Sequence, residues 1–364
     1  MRILFTLPSL HPDYGGPARS VPALALALRN VSGVEVWLSA QDGSESDRPE
    51  VRDISVHFHV SIALQELESI DLIHDHGVWQ RCHIAVARCA TRRGIPRVVS
   101  PRGMLEPWAL SQKKWKKRIA WFLYQRRLLT QCRLVHATST AEESNLRKLG
   151  LTMPIAVIPN GMDLPSLAPP GVEGFAKPAT PRNALFLSRL HPKKGLELLI
   201  EAWAKIRPSH WHLLVAGPGD PNYIQFLKDL VARHHLQAEI EFLGPISDHE
   251  KPSLFERAEL FLLPSYSENF GMVVAEALSF GIPVITTTGC PWSELESFRC
   301  GWWVEPTAGS ISDALSEATT LGSDTLAEMG RRGRSLISER YAWAGIARRM
   351  SDAYGQLLLP SRTL

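Results

Sequence analysis

Two glutamates, Glu268 and Glu276, lie eight positions apart around the short motif Asn-Phe-Gly-Met. They fall within residues 261–286, where apolar spacing, proline and glycine predict a strand, a loop, a helix and a second strand. Where a strand ends and a helix begins, free N–H groups and the positive helix end bind anions. Carboxylates at the same place accept hydrogen bonds from hydroxyl groups. The first hypothesis is therefore a ligand with both phosphates and hydroxyls, a sugar nucleotide.

A basic motif, Ser-Arg-Leu-His-Pro-Lys-Lys-Gly at 188–195, separates another predicted strand from a helix. Arg189 offers a bidentate fork and Lys194 a point charge, a common pair for binding a diphosphate. Cations at the start of a helix are unfavourable unless an anion lies nearby. A solvated basic loop is the alternative interpretation. Because Glu268 falls in the same half of the chain, we expect opposite charges to converge on one ligand.

A glycine pair near the N terminus is a third candidate. Gly15 and Gly16, followed by Arg19, would let the backbone approach a phosphate closely because neither has a Cβ atom. The alternative is a simple turn. The motif is not G-x-G-x-x-G, so the nicotinamide fingerprint is absent from the place where it would occur.

His74 and His76 flank Asp75 directly after a predicted strand. No third ligand follows at the spacing of a metal site, and the chain has no Asp-x-Asp motif, so we expect no metal. A histidine at the carboxyl end of a strand suits proton transfer or a hydrogen bond to a substrate hydroxyl. His76 is therefore a candidate functional residue, with a purely structural histidine as the alternative.

The composition limits the class of protein. The 364 residues include 45% hydrophobic and 21% charged residues, and the net charge of +3 is too small to indicate nucleic acid. Five cysteines without a Cys-x-x-Cys pair predict reduced thiols of a cytoplasmic protein. The N-terminal residues predict a buried strand rather than a signal peptide, and no stretch reaches the roughly 20 apolar residues of a membrane span. We expect a soluble or peripheral protein.

Predicted strands and helices alternate twice along the chain, which favours an α/β fold of two Rossmann-like domains facing a central cleft. The first domain is expected at 1–165 and the second at 182–342. The linker is predicted at 166–181, because residues 165–181 contain five prolines and two glycines without periodicity.

Residues 107–141 contain eight basic residues and no acidic one, with aromatic residues interleaved. Within them, 112–133 could bind an anionic membrane surface at the inner face of the plasma membrane. In the alternative, Trp115, Ile119 and Phe122 pack on the domain and the lysines are merely solvated. We expect no nucleic-acid binding, because the chain shows no further recognition motif.

These motifs resemble the retaining glycosyltransferases of the GT-B fold, glycosyltransferase family 4 (group 1), over nearly the whole chain. Within this family, Ser-Pro-Arg-Gly-Met at 100–104 resembles a subgroup that builds bacterial surface polysaccharide. The resemblance rests on the E-x7-E motif from Glu268 to Glu276 with the following Ala-Leu-x-x-Gly-x-Pro-Val, on Arg189, on Lys194-Gly195, on Ile-Pro-Asn-Gly-Met-Asp at 158–163, on Gly15-Gly16, on His76, and on Gly244-Pro-Ile246.

The resemblance implies a nucleotide diphosphate sugar as donor, a glycan or lipid-linked saccharide as acceptor, and no cofactor. The residues it implies for catalysis are His76, Arg189, Lys194 and Glu268. Those it implies for donor binding are Gly15, Gly16, Gly217, Ile246, Asn269, Phe270, Gly271, Met272 and Glu276. Arg19 and Arg102 are expected on the acceptor side, although Ser-Pro-Arg-Gly-Met at 100–104 departs from the histidine-containing loop of many relatives. The helix at 343–364 is expected to pack back on the first domain.

Within this assignment, Glu268 and the backbone of 269–272 would hold the sugar hydroxyls, and Glu276 the ribose. Arg189, Lys194 and the Gly16 backbone would hold the diphosphate. The reaction would retain the anomeric configuration, with the leaving phosphate helping to deprotonate the acceptor. Two alternatives remain open: an epimerase or hydrolase of sugar nucleotides, and a non-catalytic protein that binds a sugar nucleotide or a membrane.

Overall fold

A computed structural model describes residues 1–11, 14–42, 56–57, 70–165 and 181–359. The chain divides into two compact units. Unit 1 comprises Met1–Gly161 and Tyr341–Leu364, and unit 2 comprises Met162–Arg340. The linker expected at 166–181 lies outside the described residues, except for Pro181.

Unit 1 contains a parallel sheet of seven strands. The strands are β1 (Arg2–Ser9), β2 (Glu35–Asp42), β3 (Val56–His57), β4 (Leu72–His76), β5 (Arg97–Ser100), β6 (Leu134–Ala137) and β7 (Ile155–Val157). The helices are α1 (Gly16–Arg29), α2 (Arg81–Arg93), α3 (Pro107–Ser111), α4 (Lys114–Ala120), α5 (Arg126–Thr130), α6 (Thr140–Lys148) and, at the C terminus, α14 (Trp343–Leu358); a π-helical turn, Trp121–Gln125, joins α4 to α5. The strand order is β3-β2-β1-β4-β5-β6-β7.

The C-terminal helix α14 completes the core of unit 1. Its residues Ile346, Met350 and Tyr354 are buried in the same apolar cluster as Phe5 of β1 and Leu28 of α1. This cluster joins the face of the sheet to helices from both ends of the chain, so α14 is part of the core of unit 1.

Unit 2 contains a parallel sheet of six strands. The strands are β8 (Arg182–Leu187), β9 (Trp211–Ala216), β10 (Ile240–Gly244), β11 (Leu260–Leu263), β12 (Val284–Thr287) and β13 (Gly301–Val304). The helices are α7 (Leu196–Ile206), α8 (Pro221–Arg233), α9 (Lys251–Glu256), α10 (Met272–Ser279), α11 (Glu294–Ser297), α12 (Ala308–Thr320) and α13 (Ser323–Arg340). The strand order is β10-β9-β8-β11-β12-β13.

Each sheet reverses its strand order at one place. In unit 1 the reversal lies between β1 and β4, and in unit 2 it lies between β8 and β11. In open parallel sheets, ligands bind outside the carboxyl ends of the strands at this switch point. A ligand site is therefore expected at the segments that follow β1, β4, β8 and β11.

The packing of α14 generates a prediction about Gly161. A Cβ atom at Gly161 would lie 2.1 Å from the Trp343 ring at the start of this helix. Gly161→Ala should therefore lower the free energy of unfolding by about 1–3 kcal/mol through overpacking, measured by urea denaturation.

Gly355→Ala is the matched control, because it lies within α14 and a Cβ atom there meets nothing within 4 Å. It should raise stability by about 0.5–1 kcal/mol, since alanine favours a helix over glycine. Equal effects of the two substitutions would contradict the close contact at Gly161.

Candidate functional site

The candidate site of unit 2 is centred on an ion pair between Lys194 and Glu268. The Lys194 ammonium donates to Glu268 Oε1, and the two side chains are only 15% and 12% exposed. Ser265 Oγ donates to the same oxygen at 2.8 Å. Lys194 follows β8 and Glu268 follows β11, so the pair lies at the switch point of the sheet.

Glycines allow the two loops to come this close. Gly195 has φ +66°, and a Cβ atom there would lie 2.2 Å from the Pro264 carbonyl oxygen. A Cβ atom at Gly289 would lie 2.5 Å from the Ser265 carbonyl oxygen. The Glu268 amide donates to the Gly289 carbonyl at 2.7 Å. The loop after β11 is thus held from both sides by backbone that only glycine permits.

The environment of Glu268 keeps its carboxyl ionised. Burial alone would raise its pKa, but the charges of Lys194 and Lys193 and the hydrogen bonds from Lys194 and Ser265 outweigh burial. The pKa of Glu268 therefore lies below its ordinary value, and the side chain is an acceptor of hydrogen bonds at neutral pH.

The second glutamate of the motif lies on α10. Its Oε2 atom is buried and has no hydrogen-bond partner among the described residues. A buried carboxylate oxygen without a donor can accept a hydrogen bond from a ligand hydroxyl. The expectation that Glu276 binds a ribose stays a prediction, and this oxygen is the observation that favours it.

The loop between the two glutamates is fixed by Trp292. Its indole N–H donates to the Phe270 carbonyl at 2.6 Å, and the two rings pack with centroids 5.2 Å apart. Gly271, at φ +79°, then begins α10, and Met272 is the first helical residue. The backbone of 269–272 is consequently presented at a helix N-terminus in a defined conformation.

Three other residues expected in the donor site lie on neighbouring loops of unit 2. Arg189 follows β8 and is exposed, whereas Ile246 is half-buried after β10. Gly217 follows β9 with φ +133°, and its amide donates to the Gly244 carbonyl at 2.8 Å. A Cβ atom at Gly217 would lie 1.9 Å from the Ser188 carbonyl oxygen, so only glycine fits there.

In unit 1, His76 ends β4 and is completely buried. Two guanidinium nitrogens of Arg102 approach its Nδ1 atom at 3.1 and 3.3 Å. Because arginine can only donate, Nδ1 is the acceptor and the hydrogen is on Nε2. Burial, His74 and Arg102 lower the pKa of His76 well below its ordinary value. His76 is therefore a neutral donor, and of the two roles expected from the sequence its geometry favours the hydrogen bond over proton transfer.

His76 is more deeply buried than we expected for a side chain that would contact a sugar and an acceptor. The ring packs between Phe5, with centroids 4.9 Å apart, and His74, at 3.9 Å. The His74 Nδ1 atom in turn lies 2.6 Å from the Tyr354 hydroxyl of α14. The C-terminal helix thus supports the candidate histidine through one intermediate ring.

Arg102 is a buried cation without an ion pair. It adopts φ +55° after β5, is 8% exposed, and donates to Asn160 Oδ1 at 2.7 Å as well as to His76. No carboxylate of the described residues lies within ion-pair distance of it. Burial lowers the pKa of Arg102 to about 10 against the opposing charge of Glu142, so the side chain stays protonated at neutral pH.

The structure also reveals three residues that the sequence analysis did not single out. Asn160 belongs to the Ile-Pro-Asn-Gly-Met-Asp stretch, which was noted only as a motif. Glu142 accepts hydrogen bonds from the backbone N–H groups of Gly103 and Thr138 at 2.8 and 2.7 Å and so fixes the loop of Arg102. The Ser-x-x-Glu pattern at 139–142 was a signal for this helix start. The third is His83, which lies on α2 without a recognisable motif.

Gly15 and Gly16 begin α1, where no side chain caps the helix and no acidic residue lies in the first turn. A Cβ atom at either position would meet nothing within 4 Å, so both face open space. Arg19 lies in the next turn and is half-buried. The glycine loop follows β1 and His76 ends β4, and these are the two strands at the switch point of unit 1.

In the basic segment, residues 112–133, the structure contradicts one of the two interpretations, the packing of its apolar side chains on the domain. Trp115, Ile119 and Phe122 are 65%, 51% and 71% exposed, so the alternative in which this stripe packs on the domain is wrong. The neighbouring Leu123 is 75% exposed. The π-helical turn and α5 anchor the segment instead through other side chains. The anchoring residues are Gln125, Leu128 and Leu129.

Two family models match the chain. Residues 172–336 match the glycosyl transferases group 1, and residues 15–161 match the glycosyl transferase 4-like domain. Together these ranges take in most of the sequence.

Among curated proteins, the putative colanic acid biosynthesis glycosyltransferase WcaL of Escherichia coli is 29% identical over 57% of this chain and 52% of its own length. The chain thus spans about half the length of this relative. The GDP-mannose:cellobiosyl-diphosphopolyprenol alpha-mannosyltransferase of Xanthomonas campestris is 26% identical over 100% of this chain and 99% of that protein.

The solved structures show the same fold. HepE of Anabaena, in complex with UDP and glucose, superposes with a TM-score of 0.79 at 21% identity, covering 98% of this chain and 100% of that one. The sucrose-phosphate synthase of Thermosynechococcus elongatus gives a TM-score of 0.78, also at 21% identity, covering 98% and 99%. The predicted GT-B fold is confirmed.

The ion pair of unit 2 generates a second prediction. Lys194→Met leaves the Glu268 carboxylate nearly buried without its cation, which should lower the free energy of unfolding by about 3 kcal/mol. Adding Glu268→Gln should restore most of that loss, because the uncompensated charge is removed. Denaturant unfolding of the single and double variants measures both effects.

Lys205→Met, at an exposed position on α7, is the matched control and should change stability by less than about 0.5 kcal/mol. Equal free energies of unfolding of Lys194→Met and the control would show that the ion pair does not stabilise the fold.

Proposed function

The chain belongs to the glycosyl transferases group 1, and we propose that it transfers a sugar from a nucleotide diphosphate sugar to a glycan or lipid-linked saccharide. The observation that supports this proposal most directly is the ionised Glu268 beside Lys194 at the switch point of unit 2. A carboxylate and an ammonium in one small site suit a ligand that has hydroxyls at one end and phosphates at the other.

In the proposed reaction, the bond between the anomeric carbon and the diphosphate oxygen breaks, and a bond to an acceptor oxygen forms. The hydroxyl proton of the acceptor passes to the leaving phosphate on the same face of the sugar, so the anomeric configuration is retained. This route needs positive charge where the leaving group becomes more negative. Lys194 has three N–H donors, of which one points to Glu268, and Arg189 would supply a fork. The proposal includes no metal and no cofactor.

The remaining residues would position the substrates. Glu268 and the backbone of 269–272 would accept and donate hydrogen bonds to the sugar, and the free Oε2 atom of Glu276 would take a ribose hydroxyl. His76 would act as a neutral donor through Nε2 and not as a base, because Arg102 occupies its Nδ1 atom. This assignment explains why a histidine of strongly lowered pKa is compatible with the reaction.

Relatives suggest the pathway and the donors to test. The WcaL relative is named for colanic acid biosynthesis, the Xanthomonas relative uses GDP-mannose, and HepE binds UDP and UDP-glucose. We accordingly place the proposed reaction in bacterial surface polysaccharide synthesis, with UDP- and GDP-sugars as the first donors. A thermal-shift panel of these sugars identifies the nucleotide, because a ligand at 100 times its Kd stabilises the fold by about 2.7 kcal/mol.

Glu268→Ala should lower kcat/KM for sugar transfer at least 100-fold, since one carboxylate that binds the sugar through hydrogen bonds is lost. The assay follows transfer from the donor that the panel identifies, with EDTA present and absent, and the fold is checked by thermal unfolding. Glu256→Ala, an exposed glutamate on α9, is the control and should keep full activity.

Three outcomes would contradict the proposal. Full activity of Glu268→Ala would remove its basis. Release of free sugar that no acceptor accelerates would favour a hydrolase, and nucleotide binding without turnover would favour a binding protein. An inverted anomeric configuration of the product, read by proton NMR, would refute retention alone.

We further propose that the basic segment docks on an anionic bilayer at the cytoplasmic face of a membrane. Among the described residues, no helix is long and apolar enough to cross a membrane. The four exposed apolar side chains lie next to lysines and arginines on one short helical stretch. Apolar residues that enter the headgroup region and cations that face anionic lipids are the two components of interfacial binding.

Replacing Lys113, Lys114 and Lys116 by glutamine should weaken binding to vesicles that contain phosphatidylglycerol, by about 1 kcal/mol per charge. Lys117 is kept, because its ammonium donates to the Ala109 carbonyl at 2.6 Å and supports the segment itself. Vesicle sedimentation at low and high salt measures the change.

Two controls make this test specific. Replacing Lys148, Lys205 and Lys228, exposed lysines elsewhere on the chain, should leave binding unchanged. Phe122→Ser should weaken binding even at high salt, whereas Phe226→Ser, exposed on α8, should not. Unchanged binding of both the triple-lysine variant and Phe122→Ser would refute the membrane surface.

A further inference from the structure

Trp79 lies three residues after His76, in the loop that follows β4, and its backbone is strained. Its φ angle is +78°, in the left-handed region that a large side chain seldom adopts. Arg102, in the neighbouring loop after β5, has a φ angle of +55°. Residues strained in this way persist only where their surroundings hold them, and they concentrate at functional sites. The contacts that hold Trp79 therefore indicate its role.

On one side, Trp79 binds the turn that carries Arg102. Its indole N–H donates to the Met104 carbonyl at 3.2 Å. The amide of Val78 donates to the Met104 sulfur at 3.4 Å. Arg102 lies two residues before Met104 and donates to His76 Nδ1. Trp79 therefore fixes the far end of the turn whose guanidinium sets the tautomer of His76.

On the other side, Trp79 is held by the π-helical turn, Trp121–Gln125. Its amide donates to Gln125 Oε1 at 2.9 Å, and its carbonyl accepts from the Tyr124 hydroxyl at 2.9 Å. Turns of this kind are rare and often occur at functional sites. Gln125 is 2% exposed, so its side chain cannot move away without leaving a buried amide group of its own unsatisfied. Both polar groups of the Trp79 backbone are thus bonded to one turn of the basic segment.

The ring of Trp79 packs against the same segment. The centroid of the Trp121 ring lies 6.4 Å away, and the Lys117 ammonium lies 5.9 Å from the centre of the Trp79 ring. Lys117 is itself fixed, because it donates to the Ala109 carbonyl at 2.6 Å. These contacts restrict the rotation of the indole, so its N–H stays directed at Met104.

A purely structural role is the alternative, since Trp79 also packs against the apolar cluster that contains Leu129 and Val135. Such a cluster requires neither an indole N–H group nor a tryptophan in left-handed backbone, where every residue except glycine is unfavourable. Trp79 makes three hydrogen bonds to two separate segments of the chain. These bonds favour a role in holding the two segments together.

We propose that Trp79 is a positioning residue for the transfer reaction. It holds the turn of Arg102 against His76, and the basic segment keeps Trp79 in place through Tyr124 and Gln125. The inference rests on the proposed function, because His76 acts there as a neutral donor through Nε2. Without the contacts of Trp79, Arg102 can turn away, and the hydrogen of His76 can then occupy either ring nitrogen.

Trp79→Phe keeps an aromatic ring and removes the indole N–H. It should lower kcat for sugar transfer about tenfold, because a donor displaced by a fraction of an ångström no longer meets the substrate. KM for the nucleotide sugar should change little, since the contacts assigned to unit 2 are retained. Tyr124→Phe removes only the hydroxyl that bonds the Trp79 carbonyl, and it should lower kcat in the same way.

Trp211→Phe is the matched control. It removes an indole N–H that donates to a backbone carbonyl, that of Thr319, at 3.3 Å in unit 2. The change in side chain and the type of lost hydrogen bond are therefore the same as in Trp79→Phe. The control should lower the temperature of unfolding and leave kcat unchanged.

The tautomer of His76 gives a readout that does not depend on activity. With ¹⁵N-labelled histidine, the ring of His76 should show an unprotonated Nδ1 and a protonated Nε2, assigned by the loss of both resonances in His76→Gln. Trp79→Phe and Tyr124→Phe should shift both resonances toward values between those of the two tautomers. Trp211→Phe should not shift them.

His76 resonances that stay unchanged in both Trp79→Phe and Tyr124→Phe overturn the proposal, and so does an unchanged kcat of Trp79→Phe. If Trp79→Phe does not fold, the result for Tyr124→Phe decides, because the Tyr124 side chain is half-buried and loses only its hydroxyl. If the unaltered protein transfers no sugar, the proposed function fails, and the resonances alone then decide the role of Trp79.

Discussion

The architecture of unit 2 near its switch point depends on the compensation of one nearly buried carboxylate. An isolated carboxylate in the place of Glu268 would be unfavourable by several kcal/mol, so an ammonium must reach it. Lys194 reaches it because the turn before α7 packs directly on the end of β11, and that contact requires Gly195 against the Pro264 carbonyl. The close approach that forms the ion pair thus requires glycine at Gly195 and Gly289, in addition to what the path of the chain requires.

In unit 1, buried charges are compensated in a different way from the Lys194–Glu268 pair of unit 2. The cation Arg102 of unit 1 is held by the neutral acceptors His76 and Asn160, and the carboxylate of Asp75 is shared by two cations. Neutral acceptors orient a guanidinium but leave its charge in place. An ion pair orients the group and also neutralises its charge. Unit 2 therefore holds a paired carboxylate at its switch point, whereas unit 1 holds a buried guanidinium that keeps its charge.

The sequence predicted the fold well because the strand and helix periodicities of a parallel sheet are local signals. The second strand predicted within residues 261–286 begins only at Val284, because Pro283 cannot donate to the ladder. Lys194 and Glu268 lie in recognisable motifs, and the structure pairs their side chains. His83 lies in no such motif, and a histidine on a helix gains its meaning only from a partner on another element, here Asp75. The exposure of Trp115 likewise depends on which side chains anchor its segment.

The tautomer of His76 limits the roles that this residue can have in the reaction more than its position in the fold does. A histidine at the end of a strand could serve as a base, but a guanidinium on Nδ1 fixes the hydrogen on Nε2 and burial keeps the ring neutral. Such a ring could take a proton only at Nδ1, where it would become a cation directly against Arg102, which low dielectric makes unfavourable. If transfer occurs here, the acceptor proton must go elsewhere, and the leaving phosphate is the strongest base that the proposed substrates themselves supply. The same arginine that disables His76 as a base thereby favours a route in which the donor, rather than the protein, accepts the proton.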